Sequence, residues 1–395
     1  MNPSTHISLL PPLLLLLLLL SLLSTSHAAI TCYTSIFSFG DSLADTGNLL
    51  HDVGKNNIHV GRLPYGETYF RRPTGRFSDG RLVVDFLAQA MGLPLLPPYL
   101  AGPGRKGFRR GANFAVAGAT AIENGFFTEK GIQVLWSNNS LGSQIEWFRQ
   151  LLPSLCSSDS DCNDMFRNSL FLVGEIGGND YNYPFLQARS LDEIVSYVPR
   201  VMDAISSAIT ALIELGARTL VVPGNFPIGC NSAYLTVFRS NRSEDYDAIG
   251  CIKWLNKFSR FHNNRLRVVL NRVRLRNPHA TVIYADYYSA AMSLFSSPEP
   301  SGFRISPLPA CCGGGGPYNY NSSLQCGNSG SNICADPSIY ITWDGMHMTE
   351  AAYRKIAIGL LKGPNAVPAI LNTCPQTNQE FSRPQYVLSD DVLDG

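Results

Sequence analysis

The chain has 395 residues and a formal net charge of +1; 45% of its residues are hydrophobic and 15% are charged. The near-neutral charge removes the main electrostatic reason to expect a partner that is a nucleic acid or an anionic membrane surface. The hydrophobic content excludes a chain that is disordered throughout. The length suffices for a large buried core, so the function has to be sought in local motifs.

The most apolar segment lies at the start of the chain. Its leucine-rich run, residues 9–23, contains two prolines and is too short to span about 30 Å of hydrocarbon comfortably. Small residues follow, with Ser26-His27-Ala28 as a cleavage site. We predict a signal peptide over residues 1–28, the alternative being an uncleaved anchor. No later run approaches transmembrane length, so we expect no stable membrane insertion of the mature chain.

All 10 cysteines follow the predicted cleavage site, and their number is even. In an oxidising compartment this favours disulfides, whose pairing the sequence leaves open. Cys156 with Cys162, and Cys230 with Cys251, could each close a small loop. Four further cysteines crowd one Gly-rich stretch: Cys311, Cys312, Cys326 and Cys334. No CxxC pair and no nearby histidine supports the competing interpretation, a zinc site, so we predict no metal.

Three acceptor sequons for N-glycosylation fit the same secretory environment. They begin at Asn138, Asn241 and Asn321. The chain ends without a KDEL retention signal. We therefore expect a secreted, extracellular glycoprotein, located for example in a cell wall, with the lumen of the endoplasmic reticulum or Golgi as the alternative.

Short β-rich runs alternate with longer helical patterns along the chain. Strands are predicted at residues 36–39, 114–116, 169–173, 219–222 and 281–284, and helices at 80–90, 141–152, 191–215 and 253–274. Pro199 is expected to kink or divide the third of these helices. Strands separated by helices imply a parallel sheet covered on both faces. We predict one α/β domain over residues 29–395, with a Cys/Gly-rich insertion near residues 300–340.

Ser42 directly follows the first predicted strand, in Gly40-Asp41-Ser42-Leu43. A serine on a strand-to-helix turn is exposed at the carboxyl edge of a parallel sheet, where such folds bind ligands. Its hydroxyl becomes a good nucleophile only beside a base. No GxSxG occurs, which excludes the usual nucleophile elbow of α/β-hydrolases. The alternative for Ser42 alone is a turn or helix-cap serine.

Among the five histidines after the cleavage site, only His347 has a carboxylate at a suggestive spacing. A turn before a helix beginning near Thr349 could bring Asp344 to one ring nitrogen and leave the other for a serine. A DxxH pattern also occurs often by chance. The remaining histidines are predicted to be loop residues (His51, His59), a surface or packing residue (His262) and a residue preceding a strand (His279).

Two glycine-containing turns offer hydrogen-bond donors. Gly177-Gly178-Asn179-Asp180 follows the third predicted strand and could aim the Asn179 amide into the site. Gly118 follows the second predicted strand and could present its backbone N–H. Together with the N–H of Ser42, these groups would form an oxyanion hole. Gly-Gly-Asn-Asp is equally a strong turn signal on its own.

In this order, the four blocks around Ser42, Gly118, Asn179 and His347 resemble the plant GDSL-type esterases/lipases of the SGNH hydrolase superfamily, over essentially the whole mature chain. The resemblance implies an α/β fold, a three-layer α/β/α sandwich around a five-stranded parallel sheet. It implies Ser42 as the nucleophile, His347 as the base and Asp344 as the carboxylate that orients it. Ser42, Gly118 and Asn179 would be the oxyanion donors, and no cofactor would be needed.

Three other stretches, residues 64–68, 75–81 and 312–320, look closest to the branch that contains acetylajmalan and sinapine esterases. The same branch resembles some wall-polysaccharide deacetylases. The predicted function is hydrolysis of short-chain acyl esters, acetyl above all, on a cell-wall polysaccharide or a specialised metabolite, with hydroxycinnamoyl esters second. The alternatives are a non-catalytic protein that binds acylated glycans and an acyltransferase that uses the same triad.

Overall fold

The computed structural model describes residues 32–102 and 107–375, so the predicted signal peptide lies outside the described residues. The central sheet consists of β1 (Ser35–Phe39), β2 (Gly111–Asn113), β3 (Ser169–Val173), β4 (Thr219–Pro223) and β5 (Thr281–Ala285). Its strands are all parallel and lie in the order β2-β1-β3-β4-β5. β2 pairs with one edge of β1 and β3 with the other, so the direction in which successive strands are added reverses at β1. In open α/β sheets, ligands bind at the point where the strand order reverses.

The strands are apolar runs because helices cover both faces of the sheet. Every residue of β1, β3 and β4 is buried. The predicted bounds of four strands agree with the structure to within one residue, but the second prediction, 114–116, is wrong. β2 ends at Asn113, before that apolar run begins. Phe114 is buried against the rings of Phe39 and Phe148, so its pattern indicated burial and not strand pairing.

Eleven helices of the described ranges surround the sheet and form the outer layers of the predicted three-layer sandwich. They are α1 (Asn48–Val53), α2 (Val83–Ala90), α3 (Asn124–Glu129), α4 (Leu141–Leu155), α5 (Asp159–Arg167), α6 (Gly178–Leu186), α7 (Leu191–Glu214), α8 (Ser232–Val237), α9 (Lys253–Arg276), α10 (Tyr287–Ser296) and α11 (Glu350–Lys362). Helix α7 packs against α4 and α9, and α11 packs against α2 and α10. None of the helices in the described ranges is both long and apolar enough to cross a membrane.

Pro199 lies inside α7, which continues unbroken to Glu214, so the expected division of this helix does not occur. Side chains on both sides of the proline, including Val198, Val201 and Met202, are buried in the core. This tertiary packing outweighs the backbone hydrogen bond that a proline removes from a helix interior.

All ten cysteines are paired in disulfides. The two predicted small loops, Cys156–Cys162 and Cys230–Cys251, are confirmed. The Gly-rich stretch is held by two more, Cys311–Cys334 and Cys312–Cys326, around a short antiparallel ribbon of β6 (Cys312–Gly313) and β7 (Asn332–Ile333). The fifth, Cys32–Cys374, joins the two ends of the described chain across 342 positions.

Candidate active site

A pocket at the carboxyl edge of the sheet contains every residue that the sequence suggested for catalysis. Ser42 follows β1, Gly118 follows β2 and Asn179 lies at the start of α6 after β3. Asp344 and His347 reach the same pocket from the loop before α11. Because parallel strands end at a common edge, residues separated by up to 305 positions meet in one place.

His347 lies between Ser42 and Asp344. Its Nε2 is 2.8 Å from Ser42 Oγ, and its Nδ1 is 2.8 Å from Asp344 Oδ2. With Nδ1–H donating to the carboxylate, Nε2 is left to accept the hydroxyl proton of Ser42. The ring of Phe77 packs against the imidazole at 4.7 Å between centroids and helps to fix its plane.

Asp344 is held by hydrogen bonds that favour its charged form. Its Oδ1 accepts from the backbone N–H groups of Met346 (3.0 Å) and His347 (2.9 Å). Burial opposes ionisation, but His347 and these amides outweigh it and lower the pKa of Asp344 below its ordinary value. Asp344 therefore remains a carboxylate that can stabilise a protonated His347.

Tyr65 is a further partner of this carboxylate. Its hydroxyl donates to Asp344 Oδ2 at 2.8 Å, and its ring is buried. From the sequence, the stretch of residues 64–68 that contains Tyr65 indicated only a resemblance to one branch of esterases. A separation of 279 positions between the two residues leaves no local signal for the contact.

The turn that presents Ser42 is clamped on both sides. The side-chain amide of Gln144 accepts from the N–H of Gly40 and donates to its C=O, both at 2.8 Å. Asp45 accepts from the N–H groups of Gly47 (2.7 Å) and Ala117 (2.8 Å). Asp45 thereby ties the turn of Ser42 to the loop that carries Gly118.

Gly118 lines the pocket, and its backbone geometry explains why glycine stands there. Its φ is +82°, and an added Cβ would overlap the side chain of Trp136. Its C=O accepts a hydrogen bond from the Tyr183 hydroxyl at 2.7 Å, which fixes the orientation of the peptide. The following segment is anchored by the carboxylate of Asp180, which accepts from Ala121 at 2.7 Å.

Asn179 also lines the pocket, but its amide is engaged by the protein. Nδ2 donates to Asp41 Oδ2 at 3.1 Å and to the backbone C=O of Ala119 at 3.0 Å. Since a side-chain amide has only two hydrogens, Asn179 can donate to a substrate only by exchanging one of these bonds.

Two other histidines differ in their surroundings. His59 lines the pocket beside Tyr65, Phe77 and Trp136, and burial lowers its pKa below the ordinary value. The sequence indicated only a loop residue there, because its aromatic neighbours come from distant segments. His262 is buried and 2.9 Å from the Tyr181 hydroxyl, as expected of a packing residue and not of a surface one.

Apart from the acids Asp41, Glu175 and Asp344, the pocket is lined mostly by uncharged side chains and is rich in aromatic rings. The side chains include Phe77, Trp136, Tyr183, Leu186, Phe226 and Tyr320, with neither lysine nor arginine among the described lining residues. Within residues 32–102 and 107–375, no cluster of His, Cys, Asp and Glu side chains is arranged to hold a metal ion. Such a lining suits an uncharged ester better than a phosphorylated ligand.

The three predicted glycosylation sites lie at the surface. Asn138, Asn241 and Asn321 are all exposed, which leaves each of them accessible to a glycosyltransferase. Their modification stays a prediction.

Comparisons with known proteins point to one family. The GDSL-like lipase/acylhydrolase family model matches residues 36–360. A GDSL esterase/lipase of Arabidopsis thaliana is 53% identical over 352 residues, 89% of this chain and 89% of the relative. A second from the same plant is 50% identical over 92% of this chain and 91% of the relative.

Sinapine esterase of Brassica napus is 49% identical to this chain over 356 residues, 89% of this chain and 91% of the relative. The family match, residues 36–360, includes the turn of Ser42 and the loop of Asp344 and His347. The chain therefore belongs to the GDSL-like lipase/acylhydrolase family and is a carboxylic ester hydrolase.

Proposed function

We propose that the protein hydrolyses its ester by nucleophilic catalysis through Ser42, His347 and Asp344. The observation that carries the proposal is the position of the His347 ring, whose two nitrogens each lie 2.8 Å from the side chain of Ser42 or Asp344. A serine, a base and a carboxylate in this arrangement can activate the hydroxyl and stabilise the imidazolium that forms.

The reaction would proceed in two displacements. Ser42 Oγ attacks the ester carbonyl while Nε2 of His347 takes its proton, and the same nitrogen then protonates the departing alcohol. Water, activated by His347, cleaves the acyl-enzyme and releases the acid. The oxyanion of each tetrahedral intermediate would accept hydrogen bonds from the N–H groups of Ser42 and Gly118 and from the Asn179 amide. No step requires a metal or an organic cofactor.

The proposed substrates are short acyl esters, acetyl first, on a cell-wall polysaccharide or a specialised metabolite. The aromatic lining of the pocket gives a second candidate, hydroxycinnamoyl esters, because an aromatic acid can stack on such rings. The similarity to a relative named sinapine esterase supports the same candidate. An acyltransferase with this triad would differ only in accepting an alcohol instead of water, and a glycan-binding protein would show no turnover.

We further propose that residues 1–28 are removed as a signal peptide and that residues 29–395 form one secreted hydrolase domain. Five disulfides support an oxidising compartment, since such bonds persist in secreted proteins and the secretory lumen. Exposed sequons at Asn138, Asn241 and Asn321 support passage through the glycosylating compartments.

The test compares purified mature protein with its Ser42→Ala variant on p-nitrophenyl acetate, acetylated xylan and sinapine. Each protein is also treated with a fluorophosphonate and its intact mass is measured. Ser207→Ala, at an exposed position of α7, is the matched control. We expect turnover and a covalent adduct in the wild type and the control, and neither in Ser42→Ala.

The substrate that releases acid fastest identifies the acyl class, and added alcohol acceptors reveal any transfer. A folded wild type with no adduct and no turnover on any ester would refute catalysis through Ser42. It would favour the glycan-binding alternative.

A further inference from the structure

A pair of acids that takes no part in the proton transfers lines the pocket beside Asn179. Asp41 precedes the nucleophile and is 3% exposed, and Glu175 follows β3 and is 4% exposed. The N–H of Asp41 donates to the backbone C=O of Glu175 at 3.1 Å, so the two turns are in direct contact. Their carboxyl groups are close enough for each to influence the ionisation of the other.

Two carboxyl groups can form a hydrogen bond only when one of them carries a proton. Burial, reinforced by the charge of Asp41, raises the pKa of Glu175 well above its ordinary range. Burial also raises the pKa of Asp41, to about 6. For such a hydrogen bond near neutral pH, the proton therefore belongs on Glu175, with Asp41 as the charged acceptor.

The contacts of Asp41 connect this pair to the substrate-facing side. Its Oδ1 accepts from the N–H of Leu43 at 3.0 Å, and its Oδ2 accepts from Asn179 Nδ2 at 3.1 Å. The other hydrogen of the Asn179 amide goes to the C=O of Ala119 at 3.0 Å. Because a hydrogen bond to a carboxylate is stronger than one to a neutral carbonyl, the bond to Ala119 is the easier one to give up.

We propose that Glu175 is a positioning residue for the oxyanion hole. Its proton keeps the buried pair of Asp41 and Glu175 singly charged. Asp41 then keeps its hydrogen bond to the Asn179 amide. The other N–H of that amide exchanges its acceptor, from the C=O of Ala119 to the substrate oxyanion. Only hydrogen bonds are exchanged, and the proton stays on Glu175. This inference rests on the proposed function and extends it to a pocket residue that takes no part in the proton transfers.

The physical reason for a shared proton is the charge that develops nearby. If both carboxyl groups were ionised, two negative charges would lie next to a forming oxyanion and oppose it. If Glu175 were apolar, Asp41 would lose a donor in a buried site and would be free to shift away from Asn179. A neutral donor at position 175 avoids both effects.

The experiment uses Glu175→Leu, which removes the donor, and Glu175→Gln, whose Nε2 can donate to Asp41 at no change of charge. Glu214→Leu, at the exposed end of α7, is the control for the loss of a glutamate. We measure kcat and KM on p-nitrophenyl acetate and the inhibition constant of phenylboronic acid, whose adduct with a serine carries an oxyanion-like charge. Thermal melting reports whether each variant is folded.

We expect kcat of Glu175→Leu to fall by about 10- to 100-fold, less than the complete loss of an oxyanion donor, with KM within about twofold. Phenylboronic acid should bind more weakly by a similar factor, and Glu175→Gln should recover most of both losses. A role in folding alone would lower the melting temperature without this parallel loss.

The proposal is overturned if folded Glu175→Leu keeps kcat within about threefold of wild type, a loss of less than about 0.7 kcal/mol of transition-state stabilisation. It is equally overturned if Glu175→Gln loses as much as Glu175→Leu. If the leucine variant does not fold, Glu175→Met replaces it as the apolar substitution. An inactive wild type with no adduct at Ser42 would instead be a failure of the proposed function.

Discussion

Replacing Asp344 by asparagine would remove the charge that stabilises protonated His347. Asp344 Oδ1 accepts from two backbone N–H groups, so the asparagine would keep its carbonyl oxygen at that position. The amide nitrogen would then take the place of Oδ2, 2.8 Å from His347 Nδ1. By donating to Nδ1, it would select the tautomer with the proton on Nε2, which can no longer accept from Ser42.

The magnitude follows from the geometry. A contact of 2.8 Å between Nδ1 and Oδ2 places the two charges roughly 4 Å apart, worth about 4 kcal/mol at an effective dielectric constant near 20. That energy corresponds to about three powers of ten in rate, and the wrong tautomer raises the loss towards about 10⁴-fold. We therefore expect kcat on p-nitrophenyl acetate to fall by about 10³- to 10⁴-fold.

The control for this substitution is Asp203→Asn, at an exposed position of α7. Both variants are compared with wild type by steady-state kinetics, with thermal melting to establish that they are folded. A folded Asp344→Asn enzyme that retains more than about a tenth of wild-type kcat would refute the role of Asp344 as the carboxylate of the triad.

Three further substitutions test the supports of the site. Tyr65→Phe removes the hydroxyl that donates to Asp344, and we expect the free energy of unfolding in urea to fall by about 1.5–3 kcal/mol. An unchanged midpoint of the urea unfolding transition would contradict this expectation. Gly118→Ala strains a backbone with φ of +82°, and kcat should fall at least about tenfold because the N–H of residue 118 is displaced from the oxyanion. An unchanged kcat would contradict this displacement. Cys32→Ser removes the disulfide to Cys374 and should lower the free energy of unfolding, measured by denaturant titration, by about 4–5 kcal/mol. A loss below about 1 kcal/mol would show that this disulfide hardly constrains the unfolded chain.

Much of the fold was determined by local patterns. Four strands were predicted to within one residue because a strand covered by helices on both faces is a continuous apolar run with polar turns around it. The second strand was misplaced because Gly111-Ala112-Asn113 is too short and too small to form such a run. The neighbouring Phe114 is buried for a different reason, its contacts with other aromatic rings.

The sequence by itself also singled out the residues of the proposed catalytic site. Ser42, Gly118 and Asn179 each follow a strand, and His347 lies three positions after Asp344 in a turn. Their residue types and order carried the resemblance that implies the proposed triad and oxyanion donors. These signals are local, because a turn or a strand end is specified by neighbouring residues.

The tertiary structure alone decided which residues support that chemistry. Tyr65 reaches Asp344 across 279 positions, and Asn179 reaches Asp41 across 138. Glu175 is an ordinary acidic residue in the sequence; it becomes a proton-sharing partner only because the turns after β1 and β3 pack together and bury it. Such contacts depend on the meeting of strand ends at one edge of the sheet, and no spacing along the chain encodes that meeting.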